Sequence, residues 1–231
     1  MRRLLPVLLL LAACGGDSDS DTERAPRALF DAPAASAEAP PPPLEIPTDA
    51  PTVLFMGDSI GAGLHLAEHQ AFPAILQRRL FEAGQPFHLI NASESGRTSA
   101  GGLSAIDWSL RTEPDLVVIE LGGNDGLRGV DPESTESNLR AMIERSRAAG
   151  AKVLLLGIRL PRNFSTFADE FDAIYPRLAA ELDVPFVPFF MDGVGANPDL
   201  LLPDGLHPTA EGQVELAENV EAGLSSALAE L

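Results

Sequence analysis

The sequence predicts an α/β fold, a three-layer αβα sandwich with a five-stranded parallel sheet as its middle layer. From residue 52 onward, short segments that are apolar at every position alternate with longer segments of helical period. A strand that is apolar throughout is buried on both faces, which is the environment of a parallel sheet covered by helices. Right-handed crossovers between such strands place helices on both sides of the sheet.

The elements follow one another in the order expected for such a sandwich. Asp131 and Pro132 are typical of a helix start, and Gly150 is typical of a helix end. The predicted strands are 52–56, 87–90, 115–121, 152–158 and 184–187. The predicted helices are 70–83, 101–110, 133–149, 167–182 and 209–228, and Trp108 is expected in the core.

The N-terminus has the organisation of a secretory signal. Arg2 and Arg3 give it a positive start, residues 4–11 are apolar, and the sequence Leu-Ala-Ala then leads to Cys14. The apolar run is too short to span a bilayer as a stable helix. The small residues before Cys14 resemble the lipobox of bacterial lipoproteins, so we expect residues 1–14 to be a lipoprotein signal peptide ending in a lipidated cysteine. A plain signal peptide, cleaved just before that cysteine, is the alternative.

Residues 15–51 differ in composition from the rest of the chain. Gly, Asp, Ser, Ala and Pro dominate, and four prolines stand in a row at 40–43. Such a segment cannot bury enough apolar surface to fold, so we predict a disordered tether that joins the lipid anchor to a domain at 52–231. A dispensable low-complexity tail is the alternative. The predicted location is the bacterial cell envelope, as a lipid-anchored periplasmic or outer-membrane protein or, without the lipid, as a protein secreted to the periplasm.

Charge and cysteine content exclude several classes of function. The formal net charge is −18, which repels nucleic acid, and no basic cluster offsets it. Cys14 is the only cysteine, so neither an intrachain disulfide nor a cysteine metal site can form. His65 and His69 are four residues apart, but no acidic or cysteine ligand completes a metal site with them. We therefore expect no metal, no cofactor and no nucleic-acid partner, and we expect a monomer.

Four polar clusters lie where predicted strands end or where the last helix begins. In open parallel sheets, ligands bind beyond the carboxyl ends of the strands. We therefore expect the clusters to meet at one edge of the sheet and to form the functional site there. They are Gly-Asp-Ser-Ile-Gly at 57–61, Asn-Ala-Ser-Glu-Ser-Gly at 91–96, Gly-Gly-Asn-Asp at 122–125 and Asp-Gly-Leu-His-Pro at 204–208.

The first cluster by itself fits more than one class of serine hydrolase. Residues 57–61 match the G-x-S-x-G turn of α/β-hydrolases, and Gly-Asp-Ser also occurs in trypsin-like proteases. Chain order argues against both classes, because Ser59 follows the first strand and precedes every candidate partner, and Asp204 and His207 are only three residues apart. Each of these residues alone is also an ordinary cap or turn residue, so the hypothesis depends on all of them occurring in order.

The residue types are those that ester hydrolysis requires. A serine hydroxyl is a weak nucleophile at neutral pH and needs an adjacent base, and an ordinary histidine, with a pKa near 6.5, suits that task. A carboxylate can hold the other imidazole nitrogen and stabilise the imidazolium. We predict Ser59 as the nucleophile, His207 as the base and Asp204 as the group that orients it. The neighbouring Asp58 and Asp125 are expected to hold loop geometry by hydrogen bonds.

Together, the four clusters resemble the characteristic blocks of the SGNH/GDSL hydrolase family over the whole segment 52–231. The sequences at 120–129 (Glu-Leu-Gly-Gly-Asn-Asp-Gly-Leu-Arg-Gly) and 158–161 (Ile-Arg-Leu-Pro) are similar to those of the bacterial multifunctional thioesterase/arylesterase/lysophospholipase group. The resemblance implies a flavodoxin-like sandwich and a serine esterase. It also implies an oxyanion hole formed by the backbone N–H groups of Ser59 and Gly96 and the side-chain amide of Asn124.

The same resemblance implies a groove for an acyl chain. Leu127, Arg128 and Gly129 would grip the chain from a flexible loop, with Ile158 and Leu160 as the opposite wall, although core packing is the alternative for these two. The implied substrates are lysophospholipids, aryl esters or acyl thioesters. Outside the cytosol, lysophospholipids and short-to-medium acyl esters are favoured over acyl-CoA. A carbohydrate acetyl esterase on the same fold and a non-catalytic lipid-anchored binding module stay open as alternatives.

Overall fold

The computed structural model describes residues 39–161 and 165–231, and these residues form one five-stranded sheet. All neighbouring strands are parallel, in the order β2-β1-β3-β4-β5. This is the flavodoxin-like strand order, so the predicted fold class is confirmed. The strands are β1 (Thr52–Gly57), β2 (His88–Asn91), β3 (Leu116–Glu120), β4 (Lys152–Leu156) and β5 (Phe186–Val187).

Helices cover both faces of this sheet. The chain moves from β1 to β2 in one direction and then through β3, β4 and β5 in the other, so right-handed crossovers put the first helix and the later connecting helices on opposite faces. In the described residues the α-helices are α1 (Phe72–Glu82), α2 (Ser99–Ser109), α3 (Gly123–Leu127), α4 (Pro132–Ala148), α5 (Ser165–Asp172), α6 (Ile174–Leu182) and α7 (Ala210–Ala229). α1 packs against α7, and α2 packs against α4.

β1 and β3 form the centre of the core. Residues 53–56 and 116–119 are apolar and almost fully buried, because helices cover them from both sides. The register pairs Gly57 with Glu120, so the two strands end side by side at the carboxyl edge. The polar clusters that follow them therefore start next to each other.

One predicted helix is two helices in the structure. The spacing of apolar residues predicts a single helix over 167–182, but α5 ends at Asp172 and α6 begins at Ile174. Pro176 explains the break, because it has no N–H to donate to the carbonyl group of Asp172 and its ring crowds that turn. The prediction was wrong here because the apolar pattern continues across the break.

The prediction that Trp108 lies in the core was also wrong. Its side chain is 72% exposed. α2 turns Ser99, Gly102 and Ile106 toward the core, and a residue two positions after Ile106 points to the opposite side of a helix with 3.6 residues per turn. The guanidinium group of Arg111 stacks over the exposed indole ring, 4.5 Å from its centre.

The part of the predicted tether nearest the domain is not disordered as the sequence suggested. The Arg78 side chain donates a hydrogen bond to the carbonyl oxygen of Pro42 at 2.7 Å. Nε2 of His88 lies 2.9 Å from the carbonyl oxygen of Pro47. The prolines at 40–43 line one groove together with residues of α1 and the edge strand β2. Composition predicts whether a segment can form a helix or a strand, and this one forms neither. Its prolines are nevertheless held against the domain, because they offer carbonyl acceptors and rigid apolar rings.

The remaining N-terminal predictions concern residues 1–38, which lie outside the described residues. The signal peptide, the lipidation of Cys14 and the first part of the tether therefore stay predictions. None of the helices in the described part of the chain has the length and apolar character to cross a membrane.

Candidate active site

The polar clusters meet at the carboxyl edge of the sheet. Nε2 of His207 lies 2.9 Å from the hydroxyl oxygen of Ser59, and Nδ1 of the same ring lies 2.7 Å from Oδ2 of Asp204. Ser59 and His207 are separated by 148 positions in the chain, so their contact depends on the strand order of the sheet. The three side chains form one continuous series of hydrogen bonds, with the geometry that a nucleophile, a base and an orienting acid require.

Asp204 and His207 share one turn just before α7. Oδ1 of Asp204 accepts hydrogen bonds from the backbone N–H groups of Leu206 (2.9 Å) and His207 (3.0 Å). Partial burial raises the pKa of Asp204, but hydrogen bonds from the main chain and the ring of His207 outweigh that effect and lower the pKa to about 2. The carboxylate is therefore ionised at neutral pH and holds the imidazole in one orientation.

Ser59 lies in a tight turn directly after β1. Oδ1 of Asp58 accepts a hydrogen bond from the backbone N–H of Ile60 at 2.9 Å. Oδ2 of Asp58 accepts one from the side-chain amide of Asn124 at 3.1 Å. Asn124 belongs to α3, a five-residue helix that the sequence did not predict because its glycines are typical of turns. Asp58 thus links the turn of Ser59 to the segment after β3.

Gly96 and Asn124 line the same cleft as Ser59. Gly96 has a φ of +78°, a conformation that other residues rarely adopt, and a Cβ atom there would lie 3.6 Å from the Arg128 guanidinium group. The amide nitrogen of Asn124 carries two hydrogens, and the bond to Asp58 uses one of them. The second hydrogen is available to an oxygen atom bound beside Ser59.

Asp125 holds neighbouring segments together. Its Oδ2 accepts a hydrogen bond from the backbone N–H of Ser99 at 2.8 Å, and its Oδ1 accepts one from the Ser99 hydroxyl at 2.6 Å. These bonds join the start of α2 to α3. Together with the bonds of Asp58, they confirm the prediction that both aspartates hold loop geometry.

A cleft of about 800 Å³ opens beside Ser59. Leu127, Ile158 and Leu160, three of the residues expected to bind substrate, line it. Ile158 and Leu160 are almost fully buried, so they pack in the core and also present atoms to the cleft. Their core packing is thus confirmed, and their contact with an acyl chain stays a prediction.

Arg128 and Gly129 do not lie in the wall of this cleft. The chain around them is the end of α3, which turns Leu127 toward the cleft. Arg128 instead places its guanidinium group near Gly96, and Gly129 is exposed. The sequence predicted an open loop, in which Leu127, Arg128 and Gly129 could all face one groove. In the structure the helical turn at the end of α3 points them in different directions.

The far wall of the cleft was not predicted. It is formed by residues after β5, including Phe189, Phe190 and Met191. The Arg159 guanidinium group lies 5.2 Å from the centre of the Phe189 ring. The apolar sequence Phe-Phe-Met shortly after the last strand could have predicted this wall. A segment that follows a parallel strand begins at the edge of the sheet where ligands bind.

Sequence reasoning also missed Glu120, the last residue of β3. Its side chain is only 2% exposed, and Oε2 accepts hydrogen bonds from the backbone N–H groups of Asp58 (3.1 Å) and Gly61 (3.2 Å). The signal that could have found it is a carboxyl group at the end of an otherwise apolar strand, immediately before a polar cluster.

Histidines outside this series of hydrogen bonds are spread over the domain. The ring of His65 stands edge-on to that of His207, with 6.2 Å between ring centres, and His69 lies beside the N-terminal prolines. Across residues 39–161 and 165–231, no group of three or more His, Cys, Asp or Glu side chains is arranged to hold a metal ion.

Comparison with known proteins identifies the family. The model of the GDSL-like lipase/acylhydrolase family matches residues 55–214, a range that contains all four polar clusters. The chain belongs to the GDSL-like lipase/acylhydrolase family. It is therefore a hydrolase, and the prediction of an SGNH/GDSL enzyme is confirmed.

Relatives of this GDSL-like hydrolase have similar lengths and folds. It is 48% identical to the esterase TesA of Pseudomonas aeruginosa over 173 residues, which are 74% of this chain and 86% of that protein. It is 42% identical to thioesterase 1/protease 1/lysophospholipase L1 of Escherichia coli K12 over 171 residues, 73% of this chain and 81% of that protein. The crystal structure of TesA matches with a TM-score of 0.74 at 47% identity, over 76% of this chain and 99% of that one.

A second solved structure with a similar fold is that of an inhibited esterase. Esterase EstA of Pseudoalteromonas sp., inhibited by monoethylphosphonate, matches with a TM-score of 0.73 at 32% identity, over 77% of this chain and 98% of that one. The shared fold extends over nearly the full length of both solved chains.

Proposed function

We propose that this protein is a serine esterase that hydrolyses acyl esters or thioesters through an acyl-enzyme on Ser59. The observation that carries the proposal is the series of hydrogen bonds from Ser59 through His207 to Asp204 at the mouth of an apolar cleft. A binding module would not require a base within 2.9 Å of a serine hydroxyl. The names of the relatives, which include esterase, thioesterase and arylesterase, support the same reaction class.

The proposed reaction follows from the positions of the donors and acceptors. The Ser59 oxygen attacks the acyl carbonyl carbon while its proton passes to Nε2 of His207, and Asp204 stabilises the imidazolium. Charge on the carbonyl oxygen is met by the N–H groups of Ser59 and Gly96 and by the Asn124 amide. The imidazolium then protonates the leaving alcohol or thiol, and water, activated by the same ring, releases the acid and restores the serine.

The lining of the cleft supports a substrate with an apolar acyl chain. Leu127, Leu160 and Phe189 face a space of about 800 Å³, which is far larger than an acetyl group requires. Medium acyl esters and lysophospholipids therefore fit the site better than an acetylated sugar does. The likeness to an acetyl-xylooligosaccharide esterase, at 19% identity, extends to the fold alone.

The proposed location is the bacterial cell envelope. The signal sequence and Cys14 support a lipid anchor, and relatives such as TesA come from bacteria that have such an envelope. Incorporation of radioactive palmitate into the expressed chain tests this proposal. Labelling is expected for the natural sequence and not for Cys14→Ser, and equal labelling of both would contradict the anchor.

Covalent labelling tests the reaction itself. A fluorophosphonate probe forms a stable bond with an activated serine, so it is expected to label the wild-type protein and not Ser59→Ala. Ser104→Ala is the matched control, because that serine lies on the exposed side of α2 and its loss should leave labelling unchanged. Equal labelling of wild type and Ser59→Ala would refute the proposed nucleophile.

A chain-length series tests the substrate class. For p-nitrophenyl esters from acetate to decanoate, kcat/KM is expected to rise from the acetate to the medium chains. Each buried methylene is worth about 0.8 kcal/mol at most, which corresponds to roughly a fourfold gain per carbon. A maximum at the acetate would instead favour a deacetylase.

A further inference from the structure

Glu120 lies directly beneath the turn that carries Ser59. Because β1 and β3 pair Gly57 with Glu120, the carboxyl group comes up beside the start of that turn. One oxygen, Oε2, accepts the backbone N–H of Asp58 on one side of Ser59 and that of Gly61 on the other. A single side chain thus fixes the backbone on both sides of the proposed nucleophile.

The fit between Glu120 and the turn leaves no spare room. A Cβ atom added to Gly61 would lie 2.9 Å from Oε2 of Glu120 and 2.6 Å from the hydroxyl oxygen of Ser93. A Cβ atom on Gly57 would collide with the same carboxyl oxygen. The two glycines of the Gly-Asp-Ser-Ile-Gly turn are therefore required by the close approach of this buried carboxyl group.

Glu120 and Asp58 form a pair of buried acids, and their surroundings differ. Burial raises the pKa of Glu120 well above its ordinary value, and the charge and the side-chain hydrogen bond of Asp58 raise it further. Burial also raises the pKa of Asp58, but hydrogen bonds from Ile60, Asn124 and Glu120 act in the opposite direction. The two carboxyl groups thus share a side-chain hydrogen bond, and the pKa of Glu120 is raised the more strongly of the two.

Asp58 in turn holds the amide of Asn124. Its Oδ2 atom accepts a hydrogen bond from the Asn124 amide nitrogen at 3.1 Å, which sets the plane of that amide. An amide in a fixed plane directs its second hydrogen to one position, and a donor of this kind is effective only if it is oriented before the charge develops. The hydrogen bonds therefore run from Glu120 through Asp58 to the proposed oxyanion donor.

We propose that Glu120 is a positioning residue for the ester hydrolysis described above. Its carboxyl group holds the turn of Ser59 through two backbone N–H groups and, through Asp58, fixes the amide of Asn124. The proposal rests on the proposed function, since it assigns Glu120 to the same site. Glu120 contributes to the lining of the cleft, but its side chain is almost fully buried, and in this proposal it acts through the turn of Ser59 and the amide of Asn124.

Two substitutions in the full-length protein separate this role from a merely structural one. In Glu120→Gln, the amide oxygen can accept both backbone N–H groups and the amide nitrogen can donate to Asp58, so kcat should stay within about threefold of wild type. In Glu120→Leu, a residue of similar size, both functions are lost. We expect kcat to fall by about 10²-fold, the size of effect seen when one oxyanion donor is lost, with KM changed much less. Rescue by glutamine and the separation of kcat from KM are the diagnostic results.

Two results would overturn the positioning role of Glu120. If Glu120→Gln loses as much kcat as Glu120→Leu, a neutral hydrogen-bonding group is not sufficient and the proposal is overturned. If Glu120→Leu keeps the wild-type kcat, the proposal is overturned as well. Ser59→Ala, measured alongside, identifies a failure of the proposed function, because it would then hydrolyse the ester as fast as wild type.

A third substitution covers the case in which Glu120→Leu does not fold. Asp58→Asn keeps the hydrogen-bonding oxygens of Glu120 in place and puts amide hydrogens where the hydrogens of Glu120 and Asn124 already point. The backbone N–H bonds that Glu120 accepts stay in place, while the side-chain bonds of position 58 to Glu120 and Asn124 are opposed, and we expect kcat to fall by about 10²-fold. A wild-type kcat in Asp58→Asn overturns the proposed connection.

Discussion

The two sides of the site are built in different ways. Ser59 belongs to a turn that is fixed from below by buried hydrogen bonds of Glu120 and Asp58. Asp204 and His207 belong to an exposed turn, and the Asp204 side chain is 42% exposed. The turn of the proposed nucleophile is thus tied to the buried end of β3, whereas the proposed base is held by local hydrogen bonds within a surface turn.

Because of this difference, substitutions on the two sides should affect activity and stability to different extents. A change on the surface turn can remove the orienting acid without opening the core. A change in the buried network leaves polar groups unpaired away from water, which costs folding free energy as well. The following substitutions test that separation, in order of decreasing effect.

The largest expected effect comes from Asp204→Asn. An amide at this position no longer stabilises the imidazolium and favours the wrong ring tautomer, so kcat should fall by about 10⁴-fold. The midpoint of thermal unfolding should fall only slightly at neutral pH, because the carboxylate that is lost is partly exposed and its electrostatic contribution to stability is small. Asp199→Asn, the same substitution at an exposed aspartate shortly before this turn, is the control and should leave both quantities unchanged. A large loss of stability in Asp204→Asn would contradict the comparison.

Ser99→Ala tests the buried side. The Ser99 hydroxyl donates a 2.6 Å hydrogen bond to the buried carboxylate of Asp125, and its loss should lower the free energy of unfolding by about 1–3 kcal/mol. Denaturant unfolding measures this value. Ser104→Ala, on the exposed side of the same helix, should change it by less than about 0.5 kcal/mol. Equal losses of unfolding free energy in the two variants would mean that the buried hydrogen bond stabilises the fold no more than an exposed one.

The smallest effect concerns the pH dependence of the surface turn. The pKa of Asp204 is lowered in the folded protein from 3.8 to about 2, so its contribution to stability is present above the unfolded pKa and is lost as the pH falls through the folded one. The difference in unfolding midpoint between wild type and Asp204→Asn should therefore be constant at neutral pH and disappear between about pH 4 and pH 2. If the difference in unfolding midpoint disappeared near pH 6 instead, a group other than Asp204 would be responsible for it.

Local patterns predicted much of this molecule because they report directly on burial. Residues 53–56 and 116–119 are apolar at every position since helices cover both faces of the sheet, and that property is visible without knowing the fold. The same logic placed Ser59 and Asn124 at one edge, because both follow such strands. Trp108 shows the limit of this reasoning, since an aromatic side chain near the end of a helix is buried or exposed according to small differences in phase.

Periodicity and strand-end clusters are local properties of the chain, so they were enough to predict the fold class, the order of the elements and the residues that could carry the chemistry. Three contacts became visible only in the folded domain: Glu120 lies beneath Ser59, residues 189–191 form the far wall of the cleft, and Pro42 is hydrogen-bonded to Arg78 of α1. These contacts join residues far apart in the sequence. They depend on the strand order and register of the sheet, which arise from the packing of the whole domain.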